Sequence, residues 1–234
     1  MTTVILVRHG RTAANADGIL AGHTPGVGLD DTGAAQAAAV AHRLSALPLA
    51  EVVTSPLDRT LQTAAEIGKA QNPERRPRCE SDLIECGYGS WTGQSLKVLA
   101  KSPLWRTVQL HPSAVRFPEG ESMPEMQLRA VAALRRWDGA IGDEHGPQAV
   151  WAAVSHGDVI KSVLADALGV HLDSFQRIVV GPGSVSVIQY TDLRPFVLHV
   201  NDLGTDLAGL KPPKRRSRRR RSSDAEIGGG SGAA

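Results

Sequence analysis

Three short apolar runs in this chain each stop at residues that carry chemistry. That recurrence constrains the fold more than any other feature. Val4 to Val7 ends in Arg8-His9-Gly10, Leu49 to Thr54 ends in Ser55-Pro56-Leu57-Asp58-Arg59, and Val150 to Val154 ends in Ser155-His156-Gly157. Each run has the length and β-branched content of a buried strand. Helical patterns lie between them. Thr32 to Leu47 is alanine-rich and can be capped by Asp30 or Asp31. Ser55-Pro56 opens a helix to about Lys69, and Gln94 to Leu110, Ser122 to Asp143 and Asp158 to Leu168 follow. Ser122-Met123-Pro124-Glu125 has the form of a capping box. The alternation predicts an α/β fold, a three-layer α/β/α sandwich on a mostly parallel sheet. Arg78 to Leu83 reads as a short strand, and Val185 to Tyr190 with Phe196 to Val200 as an antiparallel edge hairpin. Arg11 to Asp30 and Ile84 to Gly93 read as loops.

In a parallel sheet the carboxyl ends of the strands share one edge, where ligands bind. Arg8, His9, Arg59 and His156 then converge on one point. Arginine offers a planar fork of donors suited to phosphate, and a neutral histidine is a nucleophile. Two arginines and two histidines suit a phosphoryl group with about two negative charges. The helix amino termini after Ser55 and His156 add donors. Gly10 lets the backbone turn and a ligand approach.

These residues fall into an ordered set of motifs. Arg8-His9-Gly10 with Thr12 and Asn15 resembles the R-H-G-x-T-x-x-N signature of the histidine phosphatase superfamily, the group that includes cofactor-dependent phosphoglycerate mutases. Ser55-Pro56-Leu57-x-Arg59-x-x-x-Thr63 resembles the second motif of that family. Leu83-x-Glu85-x-x-x-Gly89-x-Trp91-x-Gly93 resembles the segment holding its acid. Phe117-Pro118-x-Gly120-Glu121-Ser122 resembles a further loop, and Ser155-His156-Gly157 the late histidine. The resemblance spans about residues 4–160 and implies a phosphoglycerate mutase-like fold. It also implies roles. His9 takes the phosphoryl group as a phosphohistidine, while Arg8, Arg59 and His156 hold its oxygens. Glu85 protonates the leaving alkoxide and then deprotonates water. Asn15, Gly22, His23 and Gly157 line the phosphate and substrate. Neither metal nor cofactor is implied, because the arginines supply the positive charge.

Several residues keep an ordinary alternative. Arg59 can pair with Asp58 or Glu66 on a helix surface, Asn15 can be a turn residue, and Glu80, Asp82, Glu119 and Glu121 compete with Glu85. Trp91, Leu104, Trp105 and Phe117 either line the mouth of the site or belong to the core. The other five histidines, His42, His111, His145, His171 and His199, show no ligand spacing.

Hydrolysis and mutase chemistry share the phosphohistidine. The mutases of the family place an adjacent arginine pair and a lysine between the acid and the late histidine. Here that region offers Lys97, Lys101, Arg106 and Arg116, with an adjacent pair only at Arg135-Arg136, inside a predicted helix. The mutases also carry Asn after His-Gly, where this chain has Asp158, an acid expected to repel a second anionic group. Both departures favour a phosphomonoesterase acting on small phosphorylated metabolites, with a phosphoglycerate mutase as the alternative.

The net charge of +2 hides an asymmetry. Lys211 to Arg221 holds eight Lys or Arg, and the rest of the chain is mildly acidic. Residues 1–207 are expected to form the catalytic domain and 208–234 a disordered basic tail. The tail defines a reading of another class, a protein binding nucleic acid or another anionic surface through phosphate contacts. It has no interleaved aromatics to stack bases, so such binding is nonspecific. Cys79 and Cys86 match no zinc or redox spacing and read as small hydrophobes. Met1 leads directly into the first strand, without a leader pattern, and no apolar run is long enough to span a bilayer. The expected location is the cytoplasm. The late strands and the Trp137-bearing helix are the candidate homodimer face.

Overall fold

The computed structural model describes residues 2–204. The expected basic tail and its boundary near residue 207 lie outside the described residues. Six strands, β1 (Thr2–Arg8), β2 (Leu49–Thr54), β3 (Arg78–Cys79), β4 (Val150–Ser155), β5 (Val185–Tyr190) and β6 (Pro195–Asp202), form one sheet in the order β3-β2-β4-β1-β5-β6. Strands β1 to β4 pair in parallel, and β5 and β6 are antiparallel. The helices are α1 (Ala13–Asp17), α2 (Asp31–Leu44), α3 (Asp58–Lys69), α4 (Leu96–Leu99), α5 (Pro103–Leu110), α6 (Met123–His145) and α7 (Gly157–Ala167). Among the described residues no helix is long and apolar enough to cross a membrane.

Side chains alternate across a strand, so each central strand feeds two cores. Ile5 and Val7 of β1 join Val40 and Leu44 of α2 and Ala64 and Ile67 of α3 on one face. Val4 and Leu6 join Ala130 and Leu134 of α6 and Val163 and Leu164 of α7 on the other. This is the expected α/β/α sandwich. Strand β4 lies between β1 and β2, and the register brings their ends level: Arg8 pairs with Ser155 and Thr54 with Val154.

Four local expectations are corrected. Ser55-Pro56 does not open α3, which begins three residues later with Leu57 at its cap position and no side-chain cap. The Ser55 hydroxyl is instead bonded to His156. The helix expected over Gln94 to Leu110 is two helices, because Ser102 caps a new start at Pro103. The strand expected from Arg78 to Leu83 keeps two residues before a 3-10 turn over Ser81–Leu83. The loop after β1 contains α1, closed by a capping box between Thr12 and Asn15. The Ser122–Glu125 box forms as expected and starts α6. All five remaining histidines are exposed, and of the two cysteines only Cys86 is buried.

Gly10 has a packing role beside any role in ligand approach. A Cβ on Gly10 would lie 2.2 Å from the carbonyl oxygen of Gly33, and one on Gly33 would lie 1.9 Å from that of Arg11. The chain leaving β1 therefore packs backbone to backbone on the first turn of α2. Gly10→Ala is expected to cost about 2–4 kcal/mol of stability through overpacking and backbone shift. Urea unfolding at unchanged slope checks this.

Candidate active site

The level strand ends deliver the candidate residues to one place. His9 N donates to Ser155 O at 3.1 Å and Ser55 N to Val154 O at 3.0 Å, which ties the exits of β1, β2 and β4 together. The rings of His9 and His156 lie 5.3 Å apart between centroids. Arg8, His9, Arg59, Glu85 and His156 are all buried.

The His9 ring is oriented by its own neighbour: Nδ1 lies 2.7 Å from the carbonyl oxygen of Gly10. A carbonyl only accepts, so a neutral His9 carries its proton on Nδ1 and leaves a lone pair on Nε2. Burial, then Arg59 and Arg8, hold its pKa well below the ordinary histidine value. The ring is thus an unprotonated base flanked by cations.

His156 caps α7 without a side-chain cap bond. Its Nε2 is 2.7 Å from Ser55 Oγ, and its buried Nδ1 has no hydrogen-bond partner among the described residues. Burial, then Arg59, His9, Arg8 and His23, push its pKa well below the usual value. A neutral His156 that accepts from the Ser55 hydroxyl at Nε2 carries its proton on Nδ1, and one that donates to it there leaves a lone pair on Nδ1.

Both arginines are anchored at one end. Arg8 Nη1 donates to Val180 O at 2.7 Å. The same segment follows the backbone of β1 out, with Gly183 N donating to the carbonyls of Arg8 and His9 at 3.1 and 3.2 Å. Arg59, on the first turn of α3, donates from Nη2 to Gly22 O at 2.9 Å. Its Nη1 is buried without a hydrogen-bond partner among the described residues. A buried donor left unmatched costs about 1–3 kcal/mol, so this one is built to meet an acceptor. Gly22 adopts a positive φ of 50° to present that carbonyl, and a Cβ there would lie 2.7 Å from Thr92 Oγ1.

Glu85 is 3% exposed, and its pKa is raised to about 7 by burial first and by Asp158 second, against the pull of Arg59 and Arg8. The Arg59 charge thus acts on both His9 and Glu85. Three of the competing carboxylates are engaged elsewhere. Glu80 accepts from Trp137 Nε1 and Arg136, Asp82 from Arg136, and Glu121 takes Arg129 through both oxygens.

Arg129 was not visible as a site residue in the sequence. From α6 it donates to the carbonyls of Asp82, Ile84 and Glu85 at 2.7, 2.8 and 3.0 Å. His23 Nε2 also reaches Glu85 O, at 2.6 Å. The backbone carrying Glu85 is therefore clamped from two sides. Asn15 has its carboxamide oxygen turned to Thr12, leaving its NH₂ as the group it can offer a ligand. Gly157 opens α7, where backbone N–H groups face outward. Trp91, Trp105 and Phe117 belong to the core: Trp91 stacks on Trp105 at 6.3 Å and meets Phe117 edge-on at 5.4 Å. Among the described residues no group of three or more His, Cys, Asp or Glu is placed to hold a metal ion.

An unprotonated histidine, two anchored guanidinium groups, a second buried histidine and a buried carboxyl whose pKa is raised to about 7 therefore stand at the carboxyl edge of the sheet. Residues 4–203 match the model of the histidine phosphatase superfamily (branch 1). The chain is 32% identical over 203 residues to phosphoserine phosphatase 1 of Hydrogenobacter thermophilus, covering 86% of this chain and 92% of that protein. It is 30% identical over 194 residues to a probable phosphoglycerate mutase of Yersinia enterocolitica, covering 82% and 86%. The solved structure of mycobacterial glucosyl-3-phosphoglycerate phosphatase superposes with a TM-score of 0.77 at 23% identity, over 86% of this chain and 98% of that one. The chain belongs to the histidine phosphatase superfamily. It is a phosphatase on a phosphoglycerate mutase-like fold.

Proposed function

We propose that this chain is a cytoplasmic phosphomonoesterase for small phosphorylated metabolites, working through a phosphohistidine on His9. One observation carries the reading: the His9 ring, held through Nδ1 by Gly10 O with Nε2 left open, shares the sheet edge with His156, Arg8 and Arg59. The two arginines help keep it unprotonated, and Arg59 also acts on Glu85, whose pKa is raised to about 7. In the first half-reaction Nε2 bonds to phosphorus and the ester P–O bond breaks. Glu85 gives its proton to the leaving alkoxide. In the second, Glu85 takes a proton from water, the water oxygen bonds to phosphorus, and the N–P bond breaks to release inorganic phosphate. Arg8, Arg59 and the Nδ1–H of His156 hold the phosphoryl oxygens. Asn15 NH₂, Gly157 N–H, Gly22 and His23 complete the phosphate and substrate contacts.

Hydrolysis is favoured over mutase chemistry by where the spare cations go. Arg135 pairs with Asp166, and Arg136 with Glu80 and Asp82, on the outer surface of α6. Arg116 pairs with Glu125, and Lys97, Lys101 and Arg106 are exposed. Among the described residues between Glu85 and His156, that leaves no adjacent arginine pair for a second phosphate. The test is purified protein with a panel of phosphomonoesters and with 2- and 3-phosphoglycerate, read for both phosphate release and isomerisation. Phosphate release is expected. Isomerisation of 2- to 3-phosphoglycerate with negligible hydrolysis of every ester would contradict the reading.

The role of Glu85 has its own signature. Glu85→Gln is expected to lower kcat/KM for alkyl phosphates by about 10²–10⁴-fold. The loss for p-nitrophenyl phosphate, whose leaving group needs no proton, is smaller. Rates with the two ester classes check this.

The same reading includes a homodimer built on the outer strand β6, which exposes Phe196, Leu198 and Val200. The Trp137 side chain is used within the chain, against Arg78 and Glu80. The basic segment 211–221 adds nonspecific, salt-dependent contact with anionic polymers.

A further inference from the structure

One motif of the sequence, Phe117 to Ser122, has no task in the proposed mechanism, and it lies against the loop that carries Glu85. Glu121 N donates to Gly87 O at 2.9 Å, and Gly87 N donates back to Glu121 Oε1 at 2.7 Å. The two loops meet backbone to backbone, since a Cβ on Gly120 would lie 2.1 Å from Gly87 O. Arg129 completes the contact from the second turn of α6, where Met126 and Ala130 are buried in the core and give it a fixed base. A guanidinium has five N–H donors, and here all five are used. Nη1 donates to Asp82 O and Ile84 O, Nη2 to Glu85 O and Glu121 Oε1, and Nε to Glu121 Oε2.

The peptide between Glu85 and Cys86 carries this hold to the carboxyl. Its oxygen accepts from Arg129 Nη2 at 3.0 Å and from His23 Nε2 at 2.6 Å. Its N–H, that of Cys86, donates to Glu85 Oε1 at 2.9 Å. A trans peptide is planar, with C=O and N–H pointing opposite ways, so fixing one end fixes the other. The Glu85 carboxyl is therefore aimed by the plane that Arg129 grips. With Oε1 accepting, Oε2 is the oxygen left to carry the proton.

We propose, on the reading of Glu85 as the proton donor, that Arg129 is a positioning residue for the acid step: by fixing the Glu85–Cys86 peptide it holds the Glu85 carboxyl where a leaving alkoxide can take its proton. Glu121 keeps the guanidinium in the plane this requires. A planar fork is needed, because it must meet three carbonyls and a carboxylate at once, and an ammonium in its place is a point charge with three donors. A general acid acts only within hydrogen-bond reach of the atom it protonates. The chemistry that depends on Arg129 is that of esters of alcohols, whose leaving group must receive a proton.

The test is the ratio of kcat/KM for an alkyl phosphate to that for p-nitrophenyl phosphate, in Arg129→Lys with and without Glu85→Gln. Arg129→Lys is expected to lower the ratio by about 10–10²-fold, the cost of a misplaced reacting group. In the Glu85→Gln background it is expected to lower it no further, because the group it positions is gone. A purely structural brace would slow both esters alike and leave the ratio where it was. Glu121→Gln keeps the side-chain shape but removes the charge that holds Arg129. It is expected to move the ratio the same way by less, and it decides the matter if Arg129→Lys does not fold. A ratio unmoved by the deciding variant, or lowered equally in the Glu85→Gln background, overturns the role of Arg129 and leaves Glu85 as the acid, provided Glu85→Gln itself lowers the ratio. A ratio unmoved in Glu85→Gln overturns the reading of Glu85 and this inference with it.

Discussion

His9→Ala is expected to lower kcat for every phosphomonoester by on the order of 10⁴-fold or more. The effect is this large because the reaction is split at a covalent intermediate that no other group nearby is set to form. His156 has its Nε2 occupied by Ser55, and in this reading its Nδ1–H holds a phosphoryl oxygen. The arginines can bind and polarise the ester but offer no lone pair to phosphorus, and Glu85 serves proton transfer in this reading. The fold should survive, because the hydrogen bond that orients the His9 ring goes to the adjacent carbonyl of Gly10. Steady-state rates alongside thermal unfolding separate loss of chemistry from loss of structure. An unchanged turnover in a folded His9→Ala protein would end the proposal.

Arg59→Met should show the second largest effect, with a directional signature. Removing one anchored donor from a charge-stabilising site costs about 10²–10³-fold in kcat. Arg59 also stands near both titrating groups. Its cation lowers the pKa of His9, so its loss raises it, and the acid limb moves to higher pH. It also lowers that of Glu85, so its loss raises that value above about 7. Both limbs of the pH–rate profile therefore move to higher pH. A general loosening of the site would lower the rate without moving both limbs in one direction. The profile for an alkyl phosphate checks this.

The fold was legible because its signals are local. Apolar runs of strand length, followed by Arg-His-Gly, Ser-Pro-Leu and Ser-His-Gly, mark three strand ends, and the sheet brings them level. The errors arose where a side chain had a distant partner. Ser55 has the look of a helix cap, but its hydroxyl belongs to His156, far along the chain. Gly10 also packs against the backbone of Gly33, a role its place in the motif does not reveal. In Gln94 to Leu110 the start signal of Ser102-Pro103 was present but outweighed by helical periodicity. Glu85 could not be ranked above Glu80, Asp82 and Glu121 by spacing. What sets it apart is that Arg136, Trp137 and Arg129, all on α6, occupy the other three. Asp158 was visible as a departure from the mutase pattern. The structure adds its buried partners, the Tyr88 hydroxyl and Lys161, neither of which the sequence pattern marks.

The central claim is a covalent phosphoryl group on one nitrogen of one residue. The direct measurement is to mix the protein with a ³²P-labelled phosphomonoester, quench with alkali within the first turnover, and map the label by peptide. A phosphohistidine is acid-labile and survives the alkali. The account predicts a labelled peptide containing His9, absent in His9→Ala and longer-lived in Glu85→Gln, which cannot deprotonate the attacking water. Phosphate release from the wild-type protein with no acid-labile phosphoenzyme, or with the label on any other residue, would contradict it.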